Sequence, residues 1–307
     1  MKKLIILLLA SAFVFAACSN GNNKTDEPEQ PSGATTTSTT SGNGSGNSGG
    51  GTQTITYIGT KAPGEAKEVG DIVFNDGSAM SYSAYDALED DVKNAKRISA
   101  IAVIFYKGTD NSDVLGEKTL GVGLKHDEKA WCTTDANAYN ILIQSTVCYG
   151  GKTAGSLTFA DSQDKDGSNN LSQIASWLTD PDKGNTTDDT TGEGASDRYP
   201  AFYFAKDYAR EILDGEGESR LEASGLENGW YLPSLAELFQ IWKNKETINT
   251  ASGALGGDTF GAFYYWSSSQ EKAHGANYAF VLGFSNGDGG YNNKYGPLHV
   301  CAIREFN

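Results

Sequence analysis

The chain has 307 residues, of which 38% are hydrophobic and 21% are charged, and its formal net charge at pH 7 is −15. Phosphate backbones repel so acidic a surface, so we expect no nucleic-acid partner, and the same charge argues against polybasic attachment to anionic lipid. The length is enough for one large domain or for two.

The N-terminal segment predicts export followed by lipid anchoring. Residues 1–17 have a basic start and an apolar stretch, 4–15, that is too short to remain as a membrane-spanning helix. The Phe-Ala-Ala-Cys sequence at 15–18 resembles the lipobox of bacterial lipoproteins, in which the cysteine becomes the acylated N-terminus. We therefore expect lipidation of Cys18 and, because Ser19 rather than Asp follows, an outer-membrane lipoprotein exposed at the cell surface. The alternative is an ordinary signal peptide with a chance cysteine.

The next segment, 18–53, has the composition of a linker. It is rich in Ser, Thr, Gly and Asn and has almost no apolar residue, so burial cannot offset the entropy of ordering it. A flexible coil of this length spans roughly 30–35 Å. We expect it to hold a folded head, 54–307, clear of the membrane.

Three cysteines remain once Cys18 is lipidated, namely Cys132, Cys148 and Cys301. An odd number leaves at least one thiol outside an intramolecular disulfide. Proximity in sequence favours a Cys132–Cys148 pair, and two buried reduced thiols are the alternative. The spacing does not fit a zinc site.

The first part of the head, 54–194, alternates strand and helix signals. We predict strands at 55–58, 72–74 and 120–124, and a central strand at 98–106 because that segment is almost continuously apolar. The Asn-Asp-Gly sequence after residue 74 predicts a turn. A helix is predicted from Ser83, with Asp86 three positions later in a variant of the capping box.

An acidic loop follows in the segment 158–170, which invites comparison with a calcium-binding loop. Ser162 would occupy the first ligand position, and Gln173 lies where a bidentate glutamate belongs. We therefore interpret Asp161, Asp164 and neighbouring acidic residues as a solvated turn and expect no metal. A second polar loop, 180–197, is expected to be exposed.

Amphipathic patterns predict two helices around these loops. One begins at Asn170, and the other begins at Tyr199-Pro200, where proline suits the first turn. Their predicted buried positions are Leu171, Ile174 and Leu178 in the first helix, and Phe202, Ala205, Ala209 and Ile212 in the second.

The clearest local signal lies in the segment 229–238, which begins as a strand and turns into a helix at Pro233. Ser234 and Glu237 form a capping box, and apolar residues follow at helical spacing. We expect Trp230, Trp242 and Trp266 to fill the core rather than contact ligand, and we hypothesise that Arg304 pairs with Glu237.

The chain from 263 to 307 has strand-like, aromatic ends at 263–270 and 300–306. Between them, 271–299 is dominated by Gly, Asn, Tyr, Ala, His and Asp. A mixture of Tyr, Ser, Gly and Asn is typical of binding surfaces, since Tyr supplies stiff contact area and the small residues adapt. Composition alone leaves a set of glycine-rich hairpin loops equally open.

Several motifs in the region 195–307 together resemble the C-type-lectin-like fold of the formylglycine-generating-enzyme type. They are the segment 229–238, the Tyr-Trp-Ser-Ser-Ser run from 265, the Phe-Ser-Asn-Gly turn from 284 and the terminal strand 300–304. The resemblance implies an α+β fold with short twisted strands, several helices and many loops. We expect 54–194 to pack on this region as one body.

The sequence is more closely similar to the variable proteins of diversity-generating retroelements, in particular those that are treponeme lipoproteins. In that family, adenine mutagenesis of a template rewrites chosen codons near the C-terminus. Phe284, Asn286 and Gly287 match fixed frame residues. The implied variable, ligand-binding positions within 271–299 are Lys272, Ala273, His274, Gly275, Asn277, Val281, Gly283, Asp288, Gly289, Tyr291, Asn292, Tyr295, Gly296 and Pro297.

Catalytic relatives of this fold use a cysteine pair, whereas this chain has only Cys301 near its C-terminal motif. Oxidation of a substrate cysteine therefore lacks a chemical basis, so we expect neither catalysis nor a cofactor.

The resulting hypothesis is a surface-displayed binding lipoprotein, monomeric, with a macromolecular ligand on a host or a neighbouring bacterial surface. The ligand would be a protein or a glycan. His274, Tyr291, Asn292 and Tyr295 would supply most of the affinity. The alternative is an adhesin or glycan-binding lectin of the same fold with a fixed specificity.

Overall fold

The computed structural model describes residues 55–111, 113–148, 157–159, 164–192, 194–210 and 225–306. The predicted signal peptide 1–17, the lipidation site Cys18 and the linker 18–53 lie outside these residues, as do Asp161 and Ile212. Within the described part of the chain, no helix is long and apolar enough to cross a membrane.

A single mixed sheet connects the early and late parts of the described chain. Its neighbouring strands follow the order β2-β1-β3-β4-β9-β6-β7-β8, and β5 also pairs with β9. All pairings are antiparallel except that of β6 with β9. The strands are β1 Asp71–Phe74, β2 Ala79–Ser81, β3 Ala100–Lys107, β4 Thr119–Ala130, β5 Trp230–Tyr231, β6 Tyr264–Gln270, β7 Tyr278–Gly283, β8 Asp288–Asn293 and β9 Pro297–Glu305.

Helices and irregular segments cover both faces of this sheet. The α-helices of the described residues are α1 Tyr82–Asp86, α2 Asp90–Arg97, α3 Asn170–Thr179, α4 Ala195–Arg198, α5 Pro200–Lys206, α6 Leu235–Lys243 and α7 Lys245–Ala254, with short 3-10 turns at Gln144–Thr146 and Gly167–Asn169. The fold is therefore α+β, as predicted.

The sheet separates two hydrophobic cores. One, the α6–α7 core, contains Leu238 and Ile248, and the other, the α3–α5 core, contains Ile174 and Phe202. From Ala102 to Phe105 the side chains of β3 alternate between the two cores, because successive residues of a strand point to opposite faces. The predicted central strand 98–106 is confirmed, with its start moved to Ala100.

Two predictions in the first part of the head are wrong. Residues 55–58 form no strand. The backbone amides of Ile58 and Gly59 donate to the side chains of Asp76 and Ser78 instead of to the carbonyls of a neighbouring strand. The helix predicted from Ser83 is two helices, α1 and α2. Ser81 rather than Ser83 caps the first, accepting from the backbone amide of Ala84.

The predicted capping box is confirmed. Ser234 Oγ accepts from the backbone amide of Glu237, and the Glu237 carboxylate accepts from the backbone amide of Ser234. Glu237 also accepts from Tyr231 Oη at 2.7 Å and from the backbone amide of Gly167 at 3.0 Å. Burial raises the pKa of Glu237 to about 7.

The hypothesised pair of Arg304 with Glu237 does not form. The Glu237 carboxylate is already occupied by three donors, and the Arg304 guanidinium donates instead to the carbonyls of Gly225 and Leu226. Trp230 and Trp266 are buried as predicted, whereas Trp242 is only half-buried.

The three cysteines of the described chain are buried thiols. Cys132 belongs to the α3–α5 core and Cys148 to the α6–α7 core, so the sheet separates them and the predicted pair does not form. Burial raises the pKa of Cys132 to about 12.

The acidic loop 158–170 differs from the solvated turn that was expected, whereas most described residues of the second loop, 180–197, are exposed as predicted. Asp164 is buried and accepts from Ser269 Oγ at 2.7 Å and from Asn170 Nδ2 at 2.8 Å, while Asp166 forms an ion pair with Lys118. In the second loop, Asp189 is buried and accepts from Tyr199 Oη at 2.7 Å. Asp164 and Asp189 are held inside by hydrogen bonds, as buried polar groups must be.

Candidate ligand-binding surface

The β7–β8 hairpin lies at one end of the sheet, where β8 is the last strand. Its register places Ala279, Val281 and Gly283 directly opposite Asn292, Gly290 and Asp288. Opposed residues of an antiparallel pair share a face, so these six positions lie on one side of the hairpin.

The structure distributes the fourteen predicted variable positions over three environments. Seven are exposed, namely Lys272, Ala273, His274, Gly275, Asn292, Tyr295 and Pro297. Four are half-buried, namely Asn277, Asp288, Tyr291 and Gly296. We call these eleven positions the hairpin surface.

The other three predicted positions, Val281, Gly283 and Gly289, are buried, although Val281 and Gly289 line a groove beside the hairpin. The Val281 side chain belongs to the α3–α5 core and is 3% exposed. Gly283 lies beneath the ring of Tyr264, because a Cβ at this position would be 3.0 Å from Tyr264 Cε1. The assignment of these three positions as ligand contacts stays a prediction.

A groove of about 300 Å³ lies beside the hairpin. Two of its lining residues, Tyr264 and Gly290, were not predicted, and the other four are the predicted positions Val281, Gly289, Tyr291 and Asn292. Tyr264 is exposed along the groove, and a Cβ at Gly290 would lie 3.9 Å from Tyr264 Cε1 and 3.3 Å from Val281 Cγ2. A side chain at position 290 would therefore enter the groove. The predicted Gly289 also lines the groove and lies opposite buried Leu282. The period-2 alternation of β8 was the signal that could have added Gly290, which shares a face with the predicted Asp288 and Asn292.

The loop between β6 and β7 is held by a buried carboxylate. Glu271 accepts from the backbone amides of Ala273 and His274, both at 2.8 Å, and from His274 Nδ1 at 3.1 Å. The His274 ring stacks on Tyr291 with a centroid separation of 3.7 Å. His274 and Tyr291, two of the four residues expected to supply most of the affinity, thus hold each other in place before a ligand binds.

The third aromatic residue of this group, Tyr295, lies next to a residue that the sequence did not single out. Tyr139 Oη donates to Asn293 Oδ1 at 2.9 Å, and its ring centroid is 6.5 Å from that of Tyr295. The segment around Tyr139 therefore borders the hairpin surface, although it lies more than 130 residues earlier in the sequence.

Lys294 fixes this segment to the hairpin. Its side chain is fully buried, and Nζ donates to the carbonyls of Ala138, Tyr139 and Ile141 at 2.9, 3.3 and 3.3 Å. The ammonium also lies 4.6 Å from the centre of the Trp131 ring. Burial lowers the pKa of Lys294 to about 7.

The serine run of β6, Ser267–Gln270, supports the same segment from below. All four residues are fully buried. Gln270 accepts from the backbone amide of Ile143 at 2.6 Å and donates to the carbonyl of Ile141 at 3.0 Å. The polar residues of this frame are consequently satisfied by hydrogen bonds within the protein.

Gly287, predicted as a frame residue, lies under the indole of Trp242. Its φ is +76°, and a Cβ there would be 2.6 Å from the ring. Only glycine fits this close approach in the left-handed region. Phe284 is fully buried, whereas Asn286 is exposed and donates to Asp288 at 2.5 Å.

Within the described residues, no group of three or more His, Cys, Asp and Glu side chains has a geometry that could hold a metal ion.

No protein-family model and no curated protein matches this sequence. Among solved structures, the chain is similar to a fimbrial protein from Bacteroides ovatus, with 16% sequence identity and a TM-score of 0.48. The match covers 78% of this chain and 49% of that chain, so this chain spans about half the length of the protein that it resembles. A similarity at this level does not identify a function.

Proposed function

We propose that this protein binds a macromolecular ligand, a protein or a glycan, through the hairpin surface. The supporting observation is the contrast between neighbouring positions: Tyr295 is 56% exposed, while Lys294 next to it is fully buried. The buried lysine fixes the backbone from which the exposed aromatic and amide side chains project. These side chains therefore lose little entropy on binding.

The proposal extends to the origin of the surface. The protein is a retroelement-diversified variable protein with a lectin-like fold of the formylglycine-generating-enzyme type, anchored as a lipoprotein on the outer membrane. The contact between two motifs of the resemblance supports this fold, since the backbone amide of Leu235 donates to Ser269 Oγ and that of Ser268 to the carbonyl of Pro233. Diversification would change exposed positions and leave this frame intact.

A second candidate is an adhesin or lectin of the same fold with a fixed site. The burial of Val281, Gly283 and Gly289 favours it, because rewriting codons at buried positions would damage the fold. Sequencing the encoding locus separates the two. A near-copy of the 271–299 coding region that differs only at adenines, beside a reverse transcriptase gene, supports diversification, and its absence supports the fixed site.

Binding rather than catalysis is also part of the proposal. The Cys301 thiol is fully buried, and burial raises its pKa far above the ordinary range, so it is not a thiolate nucleophile.

The test uses the full-length lipoprotein in detergent as bait for host and bacterial surface extracts. The variant carries His274, Tyr291, Asn292 and Tyr295 all changed to Ala. The matched control changes Val69 and Ile98, which are exposed apolar residues outside the hairpin, to Ala. We expect the parent and the control to capture the same ligand and the folded variant to lose it. Undiminished capture by the variant would place the site elsewhere.

A further inference from the structure

A cleft of about 400 Å³ lies where β4, β6 and β9 meet, and none of its residues is among the fourteen predicted variable positions. It contains two of the three histidines of the chain, whereas His274 lies on the hairpin surface. We call it the histidine cleft. Its lining residues include His126, Glu128, Asp258, Phe263, Tyr265 and His299.

Aromatic rings form much of the histidine cleft. The His299 ring lies 4.2 Å from Phe263 and 5.3 Å from Tyr265, measured between centroids. Tyr265 is buried, but Phe263 is 50% exposed. An exposed phenylalanine against such a cluster offers a ring face that a ligand could cover.

Two carboxylates stand beside these rings. Glu128 Oε1 lies 3.2 Å from His299 Nε2, and the Glu128 side chain is 63% exposed. Asp258 accepts from the backbone amide of His126 at 2.8 Å, and its side chain is 45% exposed. Both can accept further hydrogen bonds, since a carboxylate has about four acceptor positions.

The basic residues near the histidine cleft leave these carboxylates largely available. Lys129 pairs with Asp127 at 2.6 Å. Lys125 donates to the carbonyl of Gly256 at 3.0 Å and reaches Asp258 only at 3.8 Å. A hydrogen bond of 2.9 Å joins His126 Nδ1 to Tyr265 Oη. Burial lowers the pKa of His126 to about 4, so this ring adds no positive charge at neutral pH.

We propose that the histidine cleft binds an organic cation, with an ammonium or guanidinium group placed between Glu128 and Asp258 and against the ring of Phe263. Carboxylates and aromatic faces both attract such groups, and a guanidinium can also stack on a ring. The volume of the cleft lies within the range of small-ligand sites. The cation comes either from a free amine or from a Lys or Arg side chain of a protein.

This site is independent of the proposed hairpin surface, so the two proposals fail separately. The His274, Tyr291, Asn292 and Tyr295 variant leaves cation binding unchanged, and variants of the histidine cleft leave capture through the hairpin surface unchanged.

The experiment titrates the full-length lipoprotein in detergent with butylguanidinium chloride while NMR follows the ring signals of its three histidines. N-butylurea, a neutral analogue of the same shape, is the matched ligand control. We expect saturable shifts of His126 and His299 with butylguanidinium, unmoved His274 signals and no response to N-butylurea. Equal binding of N-butylurea, or a response at His274 instead of the cleft histidines, overturns the proposal.

Two variants test the named contacts. Glu128→Gln removes one carboxylate from an exposed side chain, so it should keep the fold and weaken butylguanidinium binding about fivefold to tenfold, as expected for a charge-assisted hydrogen bond. Phe263→Leu keeps an apolar side chain but removes the ring face, and about a threefold loss is expected. Glu246→Gln, at an exposed carboxylate of α7, is the protein control. Affinities equal to those of the parent in both cleft variants overturn the proposal.

A second pair of ligands distinguishes the two sources of the cation. The peptide Gly-Ser-Arg-Ser-Gly is compared with the same peptide containing citrulline in place of arginine. Binding of the arginine peptide at least as tightly as butylguanidinium identifies a protein side chain as the occupant. Binding of butylguanidinium with exclusion of the peptide identifies a free amine.

Discussion

Strand β6 carries the serine run Ser267–Gln270 and strand β8 carries Asp288–Asn293, so both strands are polar and both belong to one sheet. The serine run is fully buried, while β8 holds three residues of the hairpin surface, the half-buried Asp288 and Tyr291 and the exposed Asn292. The difference is position, because β6 lies between two strands and β8 is the last one. Polar composition therefore does not decide exposure here. The number of hydrogen-bond partners supplied by the surrounding chain does.

The largest expected effect comes from placing the same charge at a buried and an exposed position of the hairpin. Val281→Asp buries a carboxylate in the α3–α5 core and should lower the free energy of unfolding by about 4 kcal/mol or more. Tyr295→Asp, at an exposed position, should change it by less than about 1 kcal/mol. Chemical denaturation of both variants checks this. Similar losses would mean that the buried and exposed classes are not distinct.

A smaller but still large effect is expected when the internal anchor is removed. Lys294→Met has a similar length but cannot donate to the carbonyls of Ala138, Tyr139 and Ile141, and the free energy of unfolding should fall by about 3 kcal/mol. Met at the exposed Lys272 is the matched control and should have little effect.

Lys294 also gives a pH dependence with a definite sign. Its folded-state pKa, about 7, is below the unfolded value of 10.5, so the unfolded state binds more protons between these values. The stability of the parent should therefore rise with pH from about 7 toward 10.5 relative to Lys294→Met. A difference between the two proteins that stays constant over this range would contradict the assignment.

The buried cap of α6 should behave in the opposite direction. The folded-state pKa of Glu237, about 7, is above its ordinary value of 4.5, so its contribution is present below about pH 4.5 and is lost as the pH rises through 7. Glu237→Gln should cost about 1–2 kcal/mol at low pH, and the difference from the parent should shrink toward pH 7. Denaturation curves at several pH values give the free energy of unfolding of the parent and of the variant. A difference between the two proteins that grows with pH would contradict the raised pKa of Glu237.

The smallest effect is expected on the surface itself. Changing His274, Tyr291, Asn292 and Tyr295 together to Ala should alter the free energy of unfolding by no more than about 2 kcal/mol, because exposed substitutions usually cost about 0.5 kcal/mol or less each. A much larger loss in denaturation experiments would show that these residues belong to the frame.

Local patterns in the sequence predicted the local features of the fold. The apolar run of β3 and the Ser234–Glu237 capping box each depend on residues within a few positions, so spacing was enough to identify them. The burial of Val281 is a local feature of the same kind, since it lies in the apolar run of β7.

Contacts between distant parts of the chain could not be predicted. Lys294 has the residue type of a surface position, and only the segment from Ala138 to Ile141, more than 150 residues earlier, makes it internal. The same holds for Tyr139 at the edge of the hairpin surface and for the histidine cleft, which depends on β4, β9 and β6 being neighbours. These features follow from sheet order, which spacing along one chain does not encode.

The buried ammonium of Lys294 has a consequence for inheritance if the proposed mutagenesis operates. Both lysine codons begin with two adenines, so a copying process that rewrites adenines would replace this residue unless its template spares the codon. Every daughter gene that lost it would encode a weakened scaffold, whatever its new surface could recognise. The number of variants that fold stably would then be smaller than the number of sequences produced. Loss of stability would remove variants before any ligand selected among them.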